Sequence, residues 1–346
     1  MKHVFYVYSN LHALISYEII RHKKLKLEEI FFICFRKTRL EKKFSDRNFS
    51  LSGTSGFKVR LYNVLIKNKK LDFLYKNDVI AYIPYTYARP IGFFKKYVFF
   101  EEGIDVIQDH NYRYPLNAVL KDIIYGSIFL ILTEVLLFDK PNNIKAYVRG
   151  RIVPNYRITP VFKNKIKYFG LIKNPNLNNA KKIQINILKV ESKNYSVINN
   201  KIPKNSNILV LDPFKGNYFD IKYFDTIIKK LLKYIGNDFL FIKFHPTDYD
   251  NESFMKMPVE IIKRNTKKFK IINMSVDILC MNNLNLNIYG ITTSLQFYAK
   301  IFGNNQSYSL APFIASIDKK YRTFIMLWGG IDKFRKKLIE YNVKVI

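Results

Sequence analysis

Three short groups of polar residues in this sequence could do chemistry, and each follows an apolar run typical of a β-strand. The groups are Glu101-Glu102-Gly103, Lys243 with His245 and Pro246, and Thr292-Thr293-Ser294. In parallel α/β sheets, ligands bind beyond the carboxyl ends of the strands. Their shared position after a strand makes these residues the first candidates for a functional site.

The first group offers a general base. Two adjacent carboxylates raise each other's pKa, so either Glu101 or Glu102 could accept a proton from a substrate hydroxyl. Gly103 permits a tight turn or the close approach of a ligand. The alternative interpretation is a turn after the strand with two solvated acids.

The second group offers positive charge for an anionic ligand. Because side chains alternate along a strand, we expect Lys243 and His245 to point to the same side. Lys243 can neutralise a phosphate, and a protonated His245 can also donate a proton to it. Pro246 ends the strand and stiffens the following turn. The alternative is a capped strand with a partly exposed histidine.

The third group and one further acid complete the candidate site. Thr292, Thr293 and Ser294 open a helix predicted over 292–302, where hydroxyls, free N–H groups and the helix dipole together suit a phosphate. The same residue types are also ordinary N-caps. Asp277 could accept hydrogen bonds from sugar hydroxyls, or it could cap the helix that follows it.

Neither a metal site nor a disulfide is predicted. Cys34 and Cys280 are far apart in apolar surroundings, without a Cys-x-x-Cys pair or a Cys/His cluster, which also fits a reducing compartment. The sequence has none of the glycine-rich phosphate-binding motifs. Asp248 and Asp250 match the Asp-x-Asp pair of manganese-dependent sugar-nucleotide sites, but the match is short and we interpret it as a loop.

The strands and helices that must position these residues are predicted in two blocks. The predicted strands are 3–8, 29–35, 78–83 and 97–100, then 207–211, 239–244, 269–273 and 284–289. Strands that alternate with helices, such as the amphipathic segment 221–235, predict mostly parallel α/β sheets. We interpret the polar segment 151–206 as a linker, which gives domains 1–190 and 191–346.

Charge and composition narrow the class of protein. The chain has 346 residues with 58 Lys and Arg against 27 Asp and Glu, a formal charge of +31, and it is 48% hydrophobic. Such apolar content excludes a disordered polycation. The excess favours an anionic partner such as nucleic acid, a membrane surface or a phosphorylated molecule. Alternatively, much of the positive charge reflects a coding bias toward Lys, Asn and Ile rather than a partner.

The sequence also predicts a location. The longest apolar stretch, 125–138, includes Glu134 and is shorter than the ~20 residues that cross a bilayer. The first residues lack the small-residue cleavage site of a signal peptide. We therefore expect a cytoplasmic protein that can rest peripherally on the inner membrane.

Taken in order, the three motifs resemble those of bacterial sialyltransferases, which are an acid-acid-Gly triplet, a His-Pro pair and a Ser/Thr pair. Residues 4–20 also look like the N-terminus of lipooligosaccharide sialyltransferases and capsule polysialyltransferases. The resemblance implies a GT-B fold, with two Rossmann-like domains facing a central cleft. The N-terminal domain would bind the acceptor, and the C-terminal domain the nucleotide sugar.

The resemblance also implies an inverting transfer of sialic acid from CMP-sialic acid to an anionic or lipid-linked glycan of a bacterial surface polysaccharide, without metal or other cofactor. Glu101 would be the base, with Asp220 as the alternative. His245 and Lys243 would contact the departing phosphate, which the Thr292 group would bind. Asp277 would replace the family's ribose-binding Glu, and Thr-Thr-Ser its usual Ser-Ser pair.

Two other functions stay open at this stage. The motifs concern the nucleotide more than the sugar, so a GT-B transferase that uses another CMP-nonulosonic acid or Kdo fits as well. A non-catalytic, basic nucleic-acid-binding protein is the alternative from another class. No nucleic-acid-binding motif occurs, so we expect no specific nucleic-acid partner.

Overall fold

The computed structural model describes 1–34, 40, 44, 46, 48–50, 78–84, 96–101, 103, 166–172, 183–189, 202–214, 219–236, 238–249, 253–282 and 285–346. The described residues up to Lys189 form one compact unit, and those from Ile202 onward form a second. Within these segments, no helix is long and apolar enough to cross a membrane.

The first unit contains a seven-stranded, entirely parallel sheet in the order β3-β2-β1-β4-β5-β6-β7. Its strands are β1 Lys2–Val7, β2 Ile30–Cys34, β3 Asn48–Ser50, β4 Val79–Pro84, β5 Lys96–Phe100, β6 Ile166–Gly170 and β7 Ile183–Ile187. Helix α1, Asn10–His22, follows β1, and a 3-10 turn, Leu27–Glu29, precedes β2.

Helix α1 begins where the sequence provides a cap. The Ser9 side chain accepts a hydrogen bond from the backbone N–H of His12, which satisfies a donor that has no partner within the helix. The helix buries Leu11, Leu14 and Ile15 on the sheet. This strand, turn and helix confirm the sequence prediction for the first twenty residues.

The second unit contains a six-stranded parallel sheet in the order β10-β9-β8-β11-β12-β13. Its strands are β8 Asn207–Val210, β9 Leu240–Lys243, β10 Phe269–Ile271, β11 Asn287–Gly290, β12 Gln306–Ser309 and β13 Lys344–Val345. The helices are α2 Phe224–Tyr234, α3 Pro246–Tyr249, α4 Ser253–Asn265, α5 Val276–Met281, α6 Leu295–Tyr298, α7 Ala311–Ile317, α8 Lys319–Ile325 and α9 Ile331–Glu340.

Both sheets have the Rossmann strand order, in which the first strand lies between the second and the fourth. The order reverses between β1 and β4 in the first unit and between β8 and β11 in the second. Open parallel sheets bind ligands beyond the carboxyl ends of the strands at such a reversal. The predicted α/β class with two Rossmann-like domains is therefore confirmed.

The sequence predictions for segments 151–206 and 292–302 were wrong. The segment 151–206 is not only a linker, because β6 and β7 lie within it and complete the first sheet. Both strands are only five residues long and lie in a Lys- and Asn-rich stretch of the sequence. Strand β7 is also an edge strand, on which the side chain of Gln184 is exposed. The helix predicted over 292–302 is the single turn α6, because the Asn305 amide donates to the carbonyl of Ala299 at 2.9 Å and ends it.

Phe5 provides a test of the hydrophobic core of the first unit. It is fully buried, and its ring stacks 4.2 Å from the Tyr82 ring and 5.5 Å from the Phe32 ring, centre to centre. Phe5→Ala leaves a cavity between three strands, so we expect it to lower the unfolding free energy by about 3–5 kcal/mol in urea titrations. Ile339→Ala, at a side chain that is 72% exposed, is the control. An equal loss in both variants would contradict this account of the core.

Candidate functional site

Lys243 is the last residue of β9, and its ammonium lies at the carboxyl edge of the second sheet. Its Nζ is 3.5 Å from Oδ1 of Asn273, which follows β10, and 4.4 Å from the centre of the Tyr249 ring. The Tyr249 hydroxyl donates to the carbonyl of Ile272 at 2.7 Å, which fixes the ring. Segments after two neighbouring strands thus position the lysine.

Asp277 lies in the first turn of α5 and belongs to the same cluster. Ser275 donates its hydroxyl to Oδ2 of Asp277 at 3.1 Å. Burial raises the pKa of Asp277, while the Ser275 hydrogen bond and the charge of Lys243 act in the opposite direction. The structure therefore brings together the predicted Lys243 and Asp277, a cation and an acid at one edge of the sheet.

His245 and Pro246 follow directly after β9. His245 is partly exposed, and its carbonyl accepts a hydrogen bond from the N–H of Asp248 at 2.9 Å. Pro246 is the first residue of the one-turn helix α3, a position where its fixed φ and missing N–H carry no cost. The predicted His-Pro turn is thus a tight turn into a short helix.

Asp212 is a site residue that the sequence analysis missed. It follows β8, is 7% exposed, and its Oδ2 accepts hydrogen bonds from both the N–H and the hydroxyl of Thr292. This contact joins the ends of β8 and β11, where the strand order reverses. The signal was present, since Asp212 follows an apolar run just as Glu101 does.

Asp248 is a second buried acid in this region, and it does not lie in a loop as the sequence suggested. It is fully buried in α3, and its Oδ2 accepts the N–H of Phe214 at 3.3 Å. Burial raises the pKa of Asp212 to about 6; the Thr292 hydrogen bonds lower it, and the charge of Asp248 adds a smaller increase.

The Thr292 group differs from the predicted phosphate cradle. Both donors of Thr292 are directed to Asp212, and Oγ1 of Thr293 accepts the N–H of Leu295 at 3.4 Å. Ser294 precedes a helix of only four residues, which has little dipole to offer an anion. Gly290 is required here, because a Cβ would lie 2.6 Å from Cγ2 of Thr293.

Glu101 follows β5 in the first unit and is fully buried. Its Oε2 accepts the backbone N–H groups of Leu171 at 2.6 Å and Ile172 at 3.3 Å. Gly170 leaves room for this carboxylate, since a Cβ there would lie 2.8 Å from Oε2. Gly103 has a φ of 99°, the conformation that favours glycine.

Of the other candidate acids, Glu102 lies outside the described residues. Asp220 accepts the N–H of Lys222 at 3.1 Å, caps the 3-10 turn Ile221–Tyr223, and forms an ion pair with the Lys222 ammonium at 3.0 Å. Asp220 is therefore a partly exposed capping residue rather than part of the Lys243 cluster. The described segments contain no group of three or more His, Cys, Asp or Glu arranged to hold a metal ion.

Comparison with known proteins identifies the fold. No protein-family model matches the sequence, and no curated protein matches it. A UDP-GlcNAc 2-epimerase from Methanocaldococcus jannaschii, solved with UDP-GlcNAc and UDP, shares 15% identity over 100% of this chain and 89% of its own, with a TM-score of 0.51. A 2,6-sialyltransferase from Photobacterium sp. JT-ISH-224, solved with CMP and lactose, shares 13% over 99% and 78%, with a TM-score of 0.50. The fold is of the GT-B type, as predicted.

Asp212 generates a pH prediction. Because its pKa is about 6 in the folded protein, above the ~3.9 of an unfolded chain, the stability it contributes is present at low pH and lost as pH rises through about 6. Asp212→Asn keeps an acceptor for the Thr292 N–H but cannot ionise. We expect the unfolding free energy of the native chain, relative to this variant, to fall by about 3 kcal/mol between about pH 4 and pH 8 in urea titrations. A difference that stays constant with pH would contradict the prediction.

Proposed function

We propose that the chain is a glycosyltransferase that moves sialic acid from CMP-sialic acid to a glycan acceptor with inversion. The acceptor is an anionic or lipid-linked glycan of a bacterial surface polysaccharide, and the reaction takes place in the cytoplasm. The proximity of Lys243 and Asp277 at the carboxyl edge of a Rossmann-type sheet carries the proposal. A nucleotide sugar presents a phosphate for the cation and ribose hydroxyls for the acid.

The second unit supports the leaving group. When the bond between the anomeric carbon and the phosphate oxygen breaks, the electron pair leaves with CMP. Lys243 and His245 then offset the growing negative charge on that phosphate. Lys243 suits this role because Asn273 and the Tyr249 ring hold its ammonium at the carboxyl edge of the sheet. Asp277 would accept hydrogen bonds from the ribose, as a Glu does in the resembled family.

The first unit supplies the base. An acceptor hydroxyl oxygen forms the new bond to the anomeric carbon, and its proton passes to the Glu101 carboxylate. The N–H donors of Leu171 and Ile172 favour the ionised carboxylate that a base requires. No step of this scheme requires a metal ion or a redox cofactor. The main alternative within the same fold is another CMP-nonulosonic acid or Kdo as donor.

The donor assay tests the proposal with the purified full-length protein. CMP release is measured with CMP-sialic acid, CMP-Kdo and UDP-GlcNAc, with and without a glycan acceptor. We expect turnover with CMP-sialic acid, and we expect His245→Ala and Lys243→Met to lower it by about 100-fold or more because the phosphate loses its stabilisation.

Lys344→Met is the matched control for Lys243→Met. Lys344 also lies over a tyrosine, 5.4 Å from the centre of the Tyr308 ring, but it belongs to β13 rather than to the site. The turnover of Lys344→Met is expected to equal that of the native chain.

Turnover with UDP-GlcNAc alone would contradict the proposal and indicate chemistry on UDP-sugars. Salt-sensitive oligonucleotide binding without CMP affinity would replace it by a nucleic-acid-binding function.

Glu101→Gln separates the base from a structural role. Glutamine can still accept the N–H groups of Leu171 and Ile172, so the fold is retained while the proton acceptor is lost. We expect kcat to fall by about 10²–10⁴-fold with little change in the thermal midpoint. Normal kcat in Glu101→Gln together with loss of kcat in Asp220→Asn would move the base to the second unit.

A further inference from the structure

A second concentration of positive charge lies in the first unit, on one face of its sheet. Lys23 follows the last residue of α1, and its half-buried ammonium lies 5.3 Å from the centre of the Tyr82 ring and 5.6 Å from that of the Phe169 ring. Both rings are buried. Lys23 is thus held over two aromatic faces instead of extending into solvent.

Lys167 adds a second ammonium to the same face. It is two residues before Phe169 in β6, and strand alternation places both side chains on one side of the sheet. Lys167 is close enough for its charge to lower the pKa of Lys23, although burial of Lys23 is the larger cause. The fold therefore holds two like charges near each other.

Neither ammonium is neutralised within the described part of the first unit. By contrast, Lys96 pairs with Asp78 at 2.8 Å and Arg21 pairs with Glu18. No described carboxylate lies within ion-pair distance of Lys23 or Lys167. Aromatic rings stabilise a cation but leave its charge in place. An anion placed between the two ammonium groups would offset their repulsion.

We propose that Lys23, held over the ring faces of Tyr82 and Phe169, and Lys167 together bind a phosphate monoester. A phosphate monoester carries about −1.5 to −2 charges at pH 7, which balances two ammonium groups, whereas a carboxylate balances only one. The ammonium group of lysine is a compact point charge, which suits binding of a phosphate by charge attraction. The group belongs either to a soluble phosphorylated molecule or to a lipid headgroup. The site does not depend on the proposed transferase activity.

Chemical footprinting of the native full-length protein tests the site. Acetic anhydride acetylates neutral amines, and mass spectrometry gives the rate at each lysine. A bound phosphate dianion raises the pKa of both amines, so we expect inorganic phosphate to slow acetylation of Lys23 and Lys167 by about tenfold for each unit of rise. Lys344 is the internal control, because it also lies over a tyrosine but donates to Oε1 of Gln306 at 2.8 Å.

A second measurement uses variants and distinguishes the two sources of phosphate. The thermal midpoint is measured with inorganic phosphate for the native chain, for Lys23→Met with Lys167→Met, and for Lys344→Met. Vesicles of phosphatidic acid in phosphatidylcholine test the lipid source by cosedimentation. Phosphate stabilisation or vesicle binding that the double variant loses and Lys344→Met retains supports the proposal and identifies the source.

Three results would overturn the proposal. One is equal protection of Lys344 with Lys23 and Lys167, which indicates only ionic screening. Another is an unchanged response in the double variant. The last is no effect of phosphate or of phosphatidic acid on the native chain. Because the double variant alters side chains on one face of the sheet, its circular dichroism spectrum and urea midpoint without phosphate must match those of the native chain.

Discussion

The backbone N–H groups that emerge beyond the carboxyl ends of parallel strands constrain this structure most strongly. Beyond the strand ends these N–H groups have no hydrogen-bond partner in a neighbouring strand. Leaving a buried donor without a partner lowers the unfolding free energy by about 1–3 kcal/mol. The chain meets this need with carboxylates. Glu101 after β5 accepts two N–H groups that follow β6, Asp212 after β8 accepts one that follows β11, and Asp248 after β9 accepts one that follows β8. In each case an acid after one strand fixes the segment after another.

This need for acceptors affects function, because a carboxylate can act as a general base and can also accept hydrogen bonds from backbone N–H groups. Glu101 satisfies both demands, since the N–H groups that it binds also favour its ionised form. The Lys243 cluster differs in kind. There the side chain of Asn273 contacts the Lys243 ammonium, and the Ser275 hydroxyl donates to Asp277.

Sequence patterns predicted the parts of the fold that bury long apolar runs. Strands β1, β2, β4 and β5 lie within two residues of their predicted bounds, because each is an apolar run bounded by a turn. Helix α2 begins three residues after its predicted start, because the 3-10 turn Ile221–Tyr223 precedes it. Strands β6 and β7 escaped prediction because each is only five residues long and lies in a Lys- and Asn-rich stretch that is typical of a linker. The single turn α6 escaped it because the capping amide, Asn305, acts from outside the helical pattern.

The candidate site was likewise predictable only in part. Lys243 and Asp277 were predictable from their positions after strands, but their mutual proximity depends on the pairing of β9 with β10, which no local pattern contains. Thr292 shows the reverse case: its type and position suggest a phosphate ligand, and only the adjacency of β8 and β11 reveals Asp212 as its partner. Motif order therefore locates an edge of the sheet, while strand order decides which side chains at that edge are already committed to the fold. The net charge of +31 does not by itself indicate a ligand. The cations that can indicate one are those whose position the fold fixes, such as Lys23 and Lys243.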